Sequence, residues 1–413
     1  MKRQIILTYI LLLTMGFAAQ GQTIDSPNLE VRASQELANA LLKYDIIEPF
    51  QDGLALVVKS SDEENYGMIM NGKYGYINLY GEEVIPCNII YYAYELHPDF
   101  SEGLAAIRIG DDCGYINTRG ELVIPAIYGD ACPFSDGAAL VYKEGDGFFY
   151  IDKYGEKIVD CPIEFPVAAD AAGVSYYDFK DGLLEGCGIG GKVGIMNKNG
   201  EFIVPVKYDA VGSFSDGLAK VELNGKSGFV NMTGNVVIPL KYEEGGYFSE
   251  GLGFVKTDGK WGFIDKNGNI AIPFKYNEVG GFHNGLAPVN YNGKWGYIDK
   301  KGNVVISYQF DSVRPFKNGY AIVENNNKYG VINKSGQYVI PNNYNSVYDD
   351  TDTFLILSNE KGDHLFSTDG QKILSVGSEY SLSPLMDGLF LIRKDYRPVG
   401  VADKYGNIYY AKK

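Results

Sequence analysis

Gly262-Phe263-Ile264-Asp265-Lys266-Asn267-Gly268-Asn269-Ile270-Ala271-Ile272-Pro273 begins the stretch whose reading decides the fold, and that stretch runs on to Trp295. Its pattern starts again at Gly296. Steps of 34 residues join Gly194, Gly228, Gly262, Gly296, Gly330 and His364, the last standing where a glycine is due. Earlier copies are anchored at Gly75, Gly114 and Phe149 and a final one at Gly400, making ten. A fixed period of this length marks a repeat architecture, so the unit has to be read before any local element.

Each unit holds three short strands. Leu286 to Val289, Trp295 to Ile298 and Val304 to Ile306 are apolar runs separated by turn residues. Asn292-Gly293 between the first two is a hairpin signal. Six residues after every anchor stands a glycine: Gly81, Gly120, Gly155, Gly200, Gly234, Gly268, Gly302, Gly336, Gly370 and Gly406. Three residues before it stands Asp or Asn in nine units and Ser367 in the tenth. Those side chains bond to backbone two residues on, and the glycine takes a positive φ without a Cβ clash. The most regular column is therefore turn geometry and not chemistry. The remaining segment, Tyr276 to Phe282, fits neither a clean strand nor a useful helix, and reads as an extended connector with room for a fourth short strand. One unit is too small to bury its own apolar face, so units must stack on their neighbours.

The expected fold is all-β: a tandem array of about ten three-stranded antiparallel units with a short N-terminal helix. An open solenoid or superhelix is favoured over a closed propeller-like ring. Propellers usually have four to eight blades of four strands. This chain also begins its first unit with a connector and ends its last on a third strand, which leaves no strand over to close a ring.

Lys260-Trp261-Gly262-Phe263-Ile264-Asp265 and Lys294-Trp295-Gly296-Tyr297-Ile298-Asp299 resemble the WG (Trp-Gly) repeat family of bacterial proteins. The resemblance covers Tyr44 to the C-terminus. Only two units keep the tryptophan; Tyr74, Cys113, Val193, Ser227 and Tyr329 replace it elsewhere. The resemblance implies an architecture and no catalytic residues.

Before the repeats, Lys2-Arg3, an apolar run from Ile5 to Phe17 and Ala19-Gln20-Gly21 read as an export signal cleaved before Gln22. The expected division is a signal peptide over 1–21, a linker and capping helix over 22–43 and the repeat domain over 44–413. The helix reading starts at Pro27, with Ser26 as its cap. The expected location is the periplasm, the cell surface or the exterior, with no transmembrane segment after cleavage. Loss of Lys2 and Arg3 takes the formal charge from -15 to about -17, and no basic patch offsets it, which argues against nucleic acid and anionic lipid.

Chemistry is sparse. Gly186 to Lys192 nearly matches a phosphate loop, but Val193 stands where Ser or Thr is needed, and the stretch coincides with the repeat's own Gly-Lys turn. His97, His283 and His364 are scattered over different units. Asp52, Glu102, Asp136, Asp181, Asp216, Glu250, Asp352 and Asp387 form an acid column, interrupted by Asn284 and Asn318, whose residue type a turn already explains. No carboxylate pair is singled out for glycoside hydrolysis. No cofactor or metal site is expected. All five cysteines lie between 87 and 187, and one bridge joining Cys87 or Cys132 to Cys161 is compatible with export.

The connectors between Cys87 and Phe100 and between Cys161 and Phe179 are longer than the rest. Insertions in repeat arrays gather on one face, often the binding face. The candidate ligand-binding residues are therefore Tyr92, Tyr94, Glu95, His97, Asp99, Asp170, Tyr176 and Tyr177. The expected function is an exported, non-enzymatic scaffold for a protein or glycan partner. A structural envelope component and a hydrolase with an unrecognised carboxylate site are the alternatives.

Overall fold

The computed structural model describes residues 35–60, 71–92, 98–162, 178–188, 190–348 and 353–411. The export signal and the start of the linker fall outside them. Residues 35–41 form a helix, and every other regular element is a strand.

The strands make ten separate antiparallel sheets in chain order, eight of four strands and two of three. Blade seven shows the unit: Glu278–Val279, Leu286–Tyr291, Lys294–Asp299 and Val304–Phe310, each paired with the next. The connector thus supplies a fourth, two-residue strand. It is too short to show a period, which is why the sequence reads as three strands.

Two glycine columns have different causes. The ten turn glycines all have positive φ, from 74 to 91°. Asp299 Oδ1 accepts the N–H groups of Lys301 and Asn303, each at 2.9 Å, and the same arrangement recurs at Asn117, Asn231 and Asp265. The anchor glycines are different. A Cβ on Gly296 would lie 2.5 Å from the Ile306 carbonyl oxygen, because the pairing of the third and fourth strands shifts register between Trp295 and Tyr297. The fourth strand bulges over the glycine, and Ile306-Ser307 backbone fills the place of a side chain. His364 is tolerated where its glycine is missing because blade nine pairs it directly with Ser375, without that bulge. Its imidazole is buried, with Nδ1 2.6 Å from Ser375 Oγ and Nε2 3.1 Å from Asn359 Oδ1, and burial lowers its pKa.

Ten hydrophobic clusters hold the sheets together, each shared by two consecutive blades. Strand alternation explains this. In blade seven Ala287, Val289 and Ile298 face blade six, and Leu286, Tyr297 and Ile306 face blade eight. An aromatic ring on the third strand meets a phenylalanine of the next blade edge-on: Tyr115 with Phe134 at 4.9 Å, Phe229 with Phe248 at 4.9 Å and Tyr297 with Phe316 at 4.8 Å. Each such pair is worth about 0.5–1.5 kcal/mol beyond its buried area. Tyr208, Tyr242, Tyr276 and Tyr344, one column of the repeat, are all buried between blades.

The tenth cluster corrects the expected open array. It joins Ile47, Ala55, Val57 and Ile77 of the first blade to Leu385, Leu391, Val401 and Tyr409 of the last. Phe50 N–H donates to the Leu385 carbonyl at 2.8 Å. The molecule is a closed ten-bladed β-propeller. The strand count and the lack of a leftover strand both mislead for one reason: in eight of the ten sheets the connector is itself a strand, while the number of blades is simply larger than usual. Every blade is complete within its own stretch of chain, so no exchanged strand is needed, and side-chain packing closes the ring. Leu37, Ala38 and Leu41 of the helix lie in the same cluster, so the helix covers the seam between blades one and ten.

The bridge expected between Cys87 or Cys132 and Cys161 is absent, and all five cysteines are thiols. Cys87 belongs to blade one, where its thiol meets the Lys73 carbonyl. Cys132 and Cys161 follow the two edge strands of blade three, Asp130–Ala131 and Lys157–Asp160, on opposite sides of the four-stranded sheet. Three strand spacings of about 4.8 Å exceed the Cα separation of about 4.4–6.8 Å that a disulfide allows. Burial pushes the Cys132 thiol up to about 12 and that of Cys187 up to about 11.

Candidate functional site

The columns that recur in every unit are consumed by the fold. The acid column clasps blades together. Asp216 Oδ2 accepts the Gly251 N–H at 2.6 Å, Asp52 Oδ2 that of Gly103 at 2.7 Å and Glu102 Oε2 that of Gly137 at 2.9 Å. Asn284 does the same for Gly319 at 2.9 Å, so the bond and not the charge is what matters there. A lysine from the following blade's turn completes several clasps, as Lys300 does with Glu250 at 3.1 Å. Burial works against ionisation of Glu250, yet Lys300 and the Gly285 N–H hold its carboxyl below the usual range. The acids themselves sit at positive φ, about 51 to 56° at Asp52, Glu102, Asp136 and Asp216. Among the described residues no three His, Cys, Asp or Glu side chains gather as a metal site.

Of the sequence-predicted ligand residues, Tyr94, Glu95, His97, Asp170, Tyr176 and Tyr177 lie outside the described residues. Tyr92 ends the fourth strand of blade one, and its side chain lies outside the description. Asp99 is described and exposed.

Asp99 belongs to a lane that the sequence reading missed. Just before the tight turn into the second strand, eight consecutive blades place a phenylalanine: Phe50, Phe100, Phe134, Phe179, Phe214, Phe248, Phe282 and Phe316. Six of the eight are at most 3% exposed. The residue before each is Pro49, Asp99, Pro133, Asp178, Ser213, Tyr247, Gly281 and Pro315. Neighbours along an extended segment point to opposite sides. The inner position is fixed as Phe by packing, and the outer one changes from blade to blade while keeping partial or full exposure everywhere except at Gly281. Aligning the units on that phenylalanine is the signal that finds the lane.

The lane is richest between blades six and seven. The Tyr247 ring is 40% exposed and stands 5.2 Å from Phe254, which stands 5.7 Å from Trp261. Tyr247 Oη and His283 Nε2 are 3.1 Å apart. Two glycines make room. A Cβ on Gly246 would fall 2.0 Å from the Phe254 ring, and one on Gly281 would fall 2.6 Å from that of Tyr247. Lys256 Nζ lies 5.8 Å from the Trp261 ring centre and 2.6 Å from Glu244. This arrangement offers aromatic surface bordered by the hydrogen-bonding groups of Tyr247 and His283.

A family model described as "WG containing repeat" matches residues 74–112, 114–145, 194–226, 228–261, 261–295, 295–329 and 329–352. The chain belongs to the WG repeat family. In this WG repeat protein the glycine of the pair is the bulge-covered anchor and the tryptophan is a half-buried packing choice. No curated protein sequence matches the WG repeat chain. Among solved structures it is similar to a eukaryotic initiation factor, at TM-score 0.43 and 11% identity over 87% of this chain and 98% of that one. It is also similar to BamB from Moraxella catarrhalis, at TM-score 0.30 and 11% identity over 87% and 96% of the two chains. At these scores the architecture rests on the sheets and seam described above.

Proposed function

We propose that this WG repeat protein is an exported, non-enzymatic scaffold that holds a protein or glycan partner along the lane from Asp99 to Tyr247. One observation carries the reading: on the same segment of eight blades the inward residue is always Phe, while the outward residue differs from blade to blade. A packing requirement repeats itself around a ring of similar blades, and a surface that recognises something asymmetric does not. The export signal read from the first 21 residues supports a partner in the envelope or outside the cell. The use of the acid column in inter-blade clasps supports a role without catalysis.

The test is capture of envelope extract on immobilised protein starting at Gln22. The triple variant Asp99→Ala, Asp178→Ala, Tyr247→Ala should lose a partner that the wild-type chain retains in stoichiometric amount. Equal capture by both would remove the lane from the reading. Turnover of a glycoside or ester substrate by the purified chain would replace the scaffold with an enzyme.

A further inference from the structure

Resting on that scaffold reading, we propose that the aromatic step between blades six and seven is a saccharide subsite, taking the apolar face of a neutral pyranose ring against Tyr247 with Phe254 and Trp261 behind it. The ring fold does not require these residues. One blade earlier the same three positions hold Ser213, Lys220 and Ser227, and that junction is closed by Phe229 and Phe248 at 4.9 Å just as blades six and seven are closed by Phe263 and Phe282 at 5.0 Å. The aromatic step is therefore an addition to the packing.

Its chemistry selects the ligand class. Gly246 and Gly281 bare the backbone so that the Phe254 and Tyr247 rings lie directly on it, and the Tyr247 ring, 40% exposed, is the face left open to solvent. A pyranose has an apolar C–H face of that size with hydroxyls around its edge. Tyr247 Oη and His283 stand at the border of the aromatic surface, and among the described residues no protein group bonds His283 Nδ1. That nitrogen and the tyrosine hydroxyl suit the hydroxyl edge of a sugar. The charges flanking the step are paired: Lys256 with Glu244 at 2.6 Å near Trp261, and Lys300 with Glu250 at 3.1 Å beside the His283 turn. A protein with a formal charge of -15 also repels an acidic polysaccharide. Neutral sugar is the class that meets all these conditions.

The chain's two tryptophans are Trp261 and Trp295. In Trp295→Phe the only indole is the one behind the subsite, so its emission reports occupancy. Full-length protein carrying that change would be titrated with maltohexaose, cellohexaose, xylohexaose, mannohexaose and a polygalacturonate hexamer. A saturable shift with at least one neutral oligosaccharide is expected. Tyr247→Ala and His283→Ala should each weaken it about tenfold, equal to about 1.4 kcal/mol, and Tyr247→Phe should keep most of it. Circular dichroism of each variant separates loss of binding from loss of fold. Silence across the neutral panel, a response to the acidic hexamer alone, or unchanged affinity in Tyr247→Ala overturns the proposal. If sugars are silent while envelope capture still depends on the lane, the saccharide assignment fails and the scaffold stands; if capture is also independent of the lane, both fail.

Discussion

The anchor glycine of the WG pair is the most exacting position in the repeat, and Gly296 tests why. An added Cβ would sit 2.5 Å from the Ile306 carbonyl oxygen and 2.9 Å from both the carbonyl carbon and the oxygen of Ser307. These are backbone atoms of the bulged fourth strand, so no side chain can swing away. Relief requires moving that strand by several tenths of an ångström or more, against a register fixed by the pairs Trp295–Phe310 and Tyr297–Ile306. Overpacking of this kind costs about 1–3 kcal/mol and one weakened ladder bond about 0.5–1.5, so Gly296→Ala should lose about 2–4 kcal/mol. Gly293 is the control. It has φ of 85°, and a Cβ added there would meet nothing within 4 Å, so only backbone conformation is at stake. Gly293→Ala should cost about 1–2 kcal/mol, and Gly293→Asn less, because Asn tolerates that region. The order reverses at Gly296, where Asn is larger and worse than Ala. Urea unfolding followed by Trp295 emission in a Trp261→Phe background reads blade seven directly. Should Gly296→Ala cost less than Gly293→Ala, or Asn equal Ala at 296, steric crossing by the fourth strand is not the reason for the glycine.

Removing residues 1–43 should take away Leu37, Ala38 and Leu41 from the seam; two buried leucines alone account for about 3–6 kcal/mol, and small-angle scattering should show a larger radius of gyration than the parent ring. Asp216→Asn should be nearly silent because Asn284 performs the same task, whereas Asp216→Ala should speed amide exchange at Gly251 at a cost of about 0.5–1.5 kcal/mol. The buried His364 has a folded pKa below its unfolded one, so the neutral ring is the stable form. Its contribution is whole above the unfolded value near 6.5 and is lost as pH falls toward the folded value; the urea midpoint of the wild type should drop between about pH 7.5 and about pH 5 more than that of His364→Gln. Cys132 and Cys187, with thiols raised to about 12 and about 11 by burial, should resist iodoacetamide near pH 8 in the native protein and react only after unfolding.

Much of the blade was legible in the chain. The Asp299–Gly302 turn, the Asn292-Gly293 hairpin and the three apolar runs follow from turn chemistry and strand patterning alone, and each is where the structure has it. Closure was not legible. Glu278–Val279 is too short for any period to reveal, and without it a blade counts three strands and looks incomplete. The contact that decides the ring, Ile47 and Val57 against Leu391 and Val401, joins residues more than three hundred positions apart and carries no local signature. The lane before the Phe column was within reach of the sequence, but the recurring columns beside it hide it. Fold residues repeat because each blade meets the same neighbour; a recognition residue such as Tyr247 has no such reason to repeat. The inserted connectors stand out by their length, and Asp99 beside one of them proves to share its register with Tyr247.

Because each blade is drawn from one uninterrupted stretch of chain, duplication or loss of a single 34-residue unit leaves every remaining sheet whole. Only the two surfaces at the join have to find a new fit, and a wider or narrower circle needs a small change of angle at each junction. A gene encoding such a molecule can lengthen or shorten by whole modules without passing through a broken intermediate, and each new copy brings one more outward position on which selection can act.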